Sequence, residues 1–166
     1  MSEQNIKTVS VCPNEVVGLN LRLAAPNNFA PQTSDWVLTD FDGGDAIDGI
    51  SVVFPEETSS VSRNIERCVI NIAFDPTMNQ PGQGYYTRFI DDGLQFWTGK
   101  SDVYSDVDYS VSSDGSVLTL SVQCESAKSV EIMESSFVVL VKEIASGECK
   151  IVESPDPSIR VGRGEV

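Results

Sequence analysis

The chain has 166 residues, 40% apolar and 22% charged, enough to bury a core without disulfides or metal, and it reads as a single globular domain over residues 1–166. Its 25 acidic and 11 basic residues leave a formal charge of −14, which argues against nucleic acid and against an anionic membrane surface, since both draw affinity from Lys and Arg. The absence of histidine removes Ser-His-Asp and Cys-His catalysis, His-ligated metals and any imidazole acid or base from within the chain.

The opening MSEQNIKTVSV lacks the basic and apolar regions of a signal peptide, and no stretch approaches the ~20 apolar residues of a membrane span, so a cytoplasmic protein is expected. Ile6 to Cys12 and Val16 to Leu23 alternate as strands, the second with Leu19, Leu21 and Leu23 inward. Residues 24–35 read as a loop, Trp36 to Leu38 as a short strand, and Thr39 to Asp48, TDFDGGDAID, as an acidic connection before a strand at Ile50 to Phe54. Between Val61 and Phe74 helical and strand spacings compete, and β-branched content favours strand for Arg67 to Phe74.

After the loop Asp75 to Gly84, Tyr85 to Ile90 and Leu94 to Thr98 flank Asp91-Asp92-Gly93, which suits a tight hairpin. Val107 to Ser112 and Val117 to Gln123 form a second hairpin around Ser113-Asp114-Gly115-Ser116. Val130 to Met133 makes a short strand. Phe137 to Val141, apolar on both faces, reads as a central strand paired through Gly147 with Cys149 to Glu153. Pro155 and Pro157 then take the chain out of the sheet interior, leaving residues 158–166 as an extended tail.

Roughly nine to eleven short strands without a long amphipathic helix predict an all-β fold. The specific expectation is a two-sheet antiparallel sandwich, immunoglobulin-like or a related Greek key. Cys12, Cys68, Cys124 and Cys149 show no CxxC spacing and read as small buried hydrophobes.

The one constellation with possible metal chemistry is Asp40, Asp42, Asp45 and Asp48, where Gly43 and Gly44 allow a turn that could gather oxygens around Ca²⁺. The spacing is not that of an EF-hand: a twelve-residue loop from Asp40 ends on Ser51 instead of Glu and has Asp45 at the Gly position. Asp102, Asp106 and Asp108 form a weaker acidic group. Trp36, Tyr85 and Trp97 could supply a stacking platform beside the acidic loop. No phosphate-cradling motif, no SxxK motif and no favoured carboxylate pair emerges.

The hairpin SSDGSVLTLS followed by an apolar strand and SPDPSI resembles the DP-EP family of small bacterial proteins. The likeness covers roughly the last 60 residues and rests on Asp114, Gly115, Leu118, Leu120, Ser154, Pro155, Asp156, Pro157 and Ile159. It implies a compact β fold in bacteria and nothing catalytic.

Taken together, these features suggest a non-enzymatic acidic β-sandwich that needs no cofactor and acts by self-assembly or by docking on another protein. Edge strands are the physical means, and Ile159 and Val161 of the tail are candidate donor residues, with Arg160 and Arg163 placed to meet an acidic neighbouring copy. The competing possibility is that the tail packs on its own domain or is disordered. The alternative function is a Ca²⁺- or carbohydrate-binding module built on the acidic loop and nearby aromatics, and the third is a carboxylate-dependent hydrolase.

Overall fold

The computed structural model describes residues 4–12, 14–23, 36–56, 59–96, 107–124, 131–155 and 157–164. The elements are β1 (Ile6–Ser10), β2 (Asn14–Leu23), β3 (Trp36–Asp40), β4 (Gly49–Phe54), α1 (Ser60–Ile65), β5 (Arg67–Phe74), β6 (Tyr85–Phe96), β7 (Val107–Val111), β8 (Val117–Val122), β9 (Glu131–Glu143), β10 (Cys149–Glu153) and β11 (Ser158–Arg163). They build two sheets. One runs β1-β4-β11-β9-β10 with β6 on the other side of β9, and the second runs β3-β2-β5-β8-β7.

The period-2 alternation read from the sequence places the core. Val9, Ile50, Val52, Ile159, Val161, Phe137, Val139 and Val141 face inward from the first sheet, and Leu19, Leu21, Ile70, Ile72, Leu118 and Leu120 meet them from the second. Each of these side chains is at most 5% exposed. Phe74 stacks on Phe89 at 4.5 Å, and Phe89 meets Phe137 at 6.2 Å, tying β5 of one sheet to β6 and β9 of the other.

The all-β two-sheet sandwich expected from the sequence is therefore what the chain forms, but its sheets are mixed and not purely antiparallel. Among the described residues β1 pairs β4, β4 pairs β11 and β2 pairs β5, each in parallel. The cause is the path between them: from β2 the chain visits β3, then β4 in the other sheet, then α1, before it returns to β5, and such crossovers permit parallel neighbours where tight hairpins cannot. The ambiguity between Val61 and Phe74 resolves into both readings in succession, a six-residue helix capped by the Ser59 hydroxyl and then β5.

Two Asp-Gly steps behave differently. At Ser112–Ser116 the expected hairpin forms: Gly115 N–H donates to the Ser112 carbonyl at 2.9 Å and Gly115 adopts φ 75°. One Asp114 carboxylate oxygen accepts from the Ser116 hydroxyl at 2.7 Å, the Ser112 hydroxyl at 2.8 Å and Ser116 N–H at 3.0 Å. These bonds hold its carboxyl down at about 2. At Asp91-Asp92-Gly93 the expected hairpin is instead a bulge within the single strand β6. Pairing with β9 passes from Phe89↔Val139 to Leu94↔Phe137, so the segment between is accommodated opposite Val138 alone. Gly93, at φ 76°, lies so close to the core that a Cβ there would come within 2.8 Å of Val111 and 2.9 Å of Leu118.

The C-terminal segment also departs from expectation. Residues 158–163 are not an extended tail but the strand β11, set between β4 and β9, with Ile159 0% and Val161 2% exposed. Their place as interface donors is thereby corrected: these alternating apolar residues complete the chain's own core, which buries more apolar surface than a solvated tail could. Packing on its own domain is what residues 158–163 do.

Candidate functional site

β10 and β11 run along one side of β9 as a single arm. β10 pairs with Val138–Lys142 and β11 with Glu131–Glu134, and the register slips by one residue between Glu153↔Val138 and Ser158↔Glu134. The slip falls between Glu153 and Ser158, where Ser154 and Pro157 carry the bonds to β9. Ser154 N–H still donates to the Phe137 carbonyl at 3.1 Å, but Phe137 N–H turns to the Ser154 hydroxyl at 2.7 Å because the backbone has swung away. Pro157 has no N–H to give, and its carbonyl accepts from Ser135 N–H at 3.2 Å and from the Ser135 hydroxyl at 2.6 Å. Both serines are buried, so each of these bonds satisfies a group that water does not reach.

The far end of the arm is anchored by Arg163. Its Nη1 lies 2.7 Å from the Glu66 carboxylate and 3.1 Å from the Pro55 carbonyl, its Nε and Nη2 donate to the Cys124 carbonyl at 3.1 and 2.6 Å, and the guanidinium sits 5.2 Å over the Phe54 ring. Both members of the ion pair are buried. The expectation that Arg163 meets a neighbouring copy is corrected by this inward geometry, while Arg160 is half-buried on β11. Composition alone offered no signal for the pair, because Glu66 and Arg163 are 97 residues apart.

The other end of the arm is open. Among the described residues β10 pairs with β9 alone. Glu143 N–H donates to the Glu148 carbonyl and Ser154 N–H to the Phe137 carbonyl, so by antiparallel alternation Lys150 and Val152 make the ladder bonds to β9. The backbone groups of Cys149, Ile151 and Glu153 consequently point away from the sheet. Cys149, Lys150, Ile151 and Glu153 are exposed, Ile151 at 56%, and Ile144 at the hairpin turn is 59% exposed.

The acidic residues do not converge. Asp40 forms an ion pair with Lys7 at 2.8 Å, Asp48 accepts from Asn5 N–H at 2.8 Å, and Asp42 and Asp45 are exposed. The turn itself is as expected, Gly43 N–H donating to the Asp40 carbonyl at 2.9 Å. Among the described residues no group of three or more Cys, Asp or Glu is gathered for a metal ion. Trp36 and Asp48, however, share a notch between the sheets with Leu21, Leu38, Ile47, Phe137 and Pro157. Its volume of about 40 Å³ has room for a few waters and not for a sugar ring. The notch has one carboxylate in its wall, whereas glycoside hydrolysis needs two acids across a cleft.

Tyr85 lies outside the notch, at the end of β6, where its hydroxyl donates to Glu143 at 2.9 Å; that hydrogen bond raises the phenol above its ordinary range. Trp97, Asp102 and Asp106 fall outside the described residues. Cys68 and Cys124 are buried as expected, and burial, with the nearby Glu15 carboxylate, pushes the Cys68 thiol up to about 11; Cys12 and Cys149 are exposed, against expectation.

Fold and site together define a mixed β-sandwich with one anchored and one open end to its C-terminal arm. No helix among the described residues is long and apolar enough to cross a membrane. The DP-EP family model matches residues 15–163, and the chain belongs to that family; the match reaches well beyond the last 60 residues and takes in most of the first hundred. No curated protein matches the chain.

Proposed function

We propose that this protein is a non-enzymatic module that acts by docking a protein strand on the open edge of β10. The observation that supports the reading is the outward row of backbone groups at Cys149, Ile151 and Glu153, unpaired among the described residues and carried on a hairpin whose other strand is rooted in the core. Such a row is a template for strand addition, with backbone bonds providing affinity and alternating side chains providing selectivity. Amide exchange by NMR on the full chain, alone and with an extended Val/Thr-alternating peptide, tests it. Slow exchange at residues 149, 151 and 153 in either sample supports strand docking, and free-peptide rates at all three in both samples overturn it.

A further inference from the structure

The open edge of β10 has a chemistry that selects its own partner, and the geometry points to a second copy of this chain, added antiparallel about a two-fold axis at Ile151. This rests on the strand-docking reading above and names the strand that docks. Two other edges are obstructed: the β3 side carries the returning segment, with Ile47 N–H on the Leu38 carbonyl at 2.7 Å, and the Lys7–Asp40 ion pair bridges from β1 to β3. Among the described residues β10 has neither a covering segment nor a bridge, and four of its five residues, Cys149, Lys150, Ile151 and Glu153, are exposed.

Only one antiparallel register uses the whole run. Outward-pointing residues must face outward-pointing residues, so the choices are centred on residues 150, 151 or 152. Centring on Lys150 sets the two Lys150 ammonium groups opposite each other, a like-charge pair. Centring on residue 152 puts Cys149 opposite Pro155, which has no N–H to donate. Centring on Ile151 faces Ile151 with Ile151 of the second copy and Cys149 with its Glu153, for about six backbone hydrogen bonds, two per facing pair. Lys150 then lies beside Val152 of the other copy.

Charge agrees with this register. Each chain carries −14, so two copies can approach only where their carboxylates are balanced. Across the β6-β9-β10 face, Tyr86, Lys142 and Cys149 form one row and Arg88, Leu140 and Ile151 the next. Glu153 of the second copy, arriving opposite Cys149, enters the row that holds Lys142. By symmetry this contact occurs twice, and the joined hairpins form one continuous sheet through both molecules. A two-fold, isologous contact of this kind closes on itself, so the product is a dimer and not a filament.

Cysteine cross-linking of the full chain tests the register. In a Cys12→Ser, Cys149→Ser background, Ile151→Cys places two thiols on facing residues about 5.5 Å apart at Cα, within disulfide reach, whereas Lys150→Cys places them about 8 Å apart, beyond it. The expected result is oxidation of Ile151→Cys to a species of twice 18.0 kDa, with Lys150→Cys remaining monomeric. Light scattering of the unmodified chain should likewise approach twice the monomer mass as concentration rises. A cross-link at residue 150 and not at 151 overturns this register. A mass of 18.0 kDa at every concentration, with no cross-link at either position, overturns the second copy as partner. That result leaves strand docking standing if residues 149, 151 and 153 are protected by peptide, so the two failures are distinct. Unchanged melting temperatures of the cysteine variants confirm that each outcome concerns association and not folding.

Discussion

β11 and β10 are consecutive lengths of one arm against the same strand, yet among the described residues β11 is flanked by β4 and β9 while β10 has β9 alone. Ile159 and Ile151 illustrate the difference: both are strand isoleucines in alternating segments, and one is 0% exposed while the other is 56% exposed. Alternation tells which residues share a face, but whether that face or edge is covered depends on which strands arrive beside it. Here β4 extends alongside Ser158–Arg163 and stops, so the slip between Glu153 and Ser158 separates an arm segment that stabilises the fold from one that is available to a partner.

That contrast predicts a falling cost of substitution along the arm, measured by urea unfolding of each variant. Arg163→Ala carries the largest, about 3–5 kcal/mol, because it leaves Glu66 buried without its cation and strips donors from the Cys124 and Pro55 carbonyls. A loss below about 1 kcal/mol would show that this end of the arm is not anchored as described. Ile159→Ala follows at about 2–5 kcal/mol, since a fully buried side chain leaves a cavity between the sheets.

At the boundary, Ser154→Ala removes the hydroxyl that accepts from buried Phe137 N–H and should cost about 1–3 kcal/mol. The smallest effect belongs to Ile151→Ala, expected within about 0.5 kcal/mol of wild type at dilutions where the chain is monomeric, because the residue is solvent-facing in the single chain. Equal losses for Ile159→Ala and Ile151→Ala would erase the distinction between the two halves. A large loss at Ile151 that depends on protein concentration would sharpen it instead, by showing that a second copy buries this residue.

Much of the strand content was legible because it rests on local pattern. The Val107–Val122 hairpin is specified by alternation on both sides of a turn whose Asp114 carboxylate and Gly115 φ serve the same local geometry. Asp91-Asp92-Gly93 carries nearly the same signal with a different outcome, since both flanking segments found the same partner, β9, and the intervening residues had to loop out of register. The segment after Pro157 failed for a related reason: prolines correctly mark an interruption of pairing, but not whether the chain rejoins the same strand beyond it. The acidic loop was legible as a turn and not as a site, because carboxylates close in sequence were drawn apart by Lys7 and by Asn5 N–H.

From its sequence alone this chain is determined to be acidic, free of histidine chemistry, rich in strands and equipped with particular turns, since each of these follows from composition or from neighbours within a few residues. The tertiary structure decided that, among the described residues, three pairings are parallel and β11 is interior while β10 stands at an edge, and that Arg163 and Glu66 meet across the fold. The physical reason is range: periodicity and turn chemistry act over one strand and its bend, whereas coverage of an edge or burial of a charge is a property of elements distant in sequence that only packing brings together.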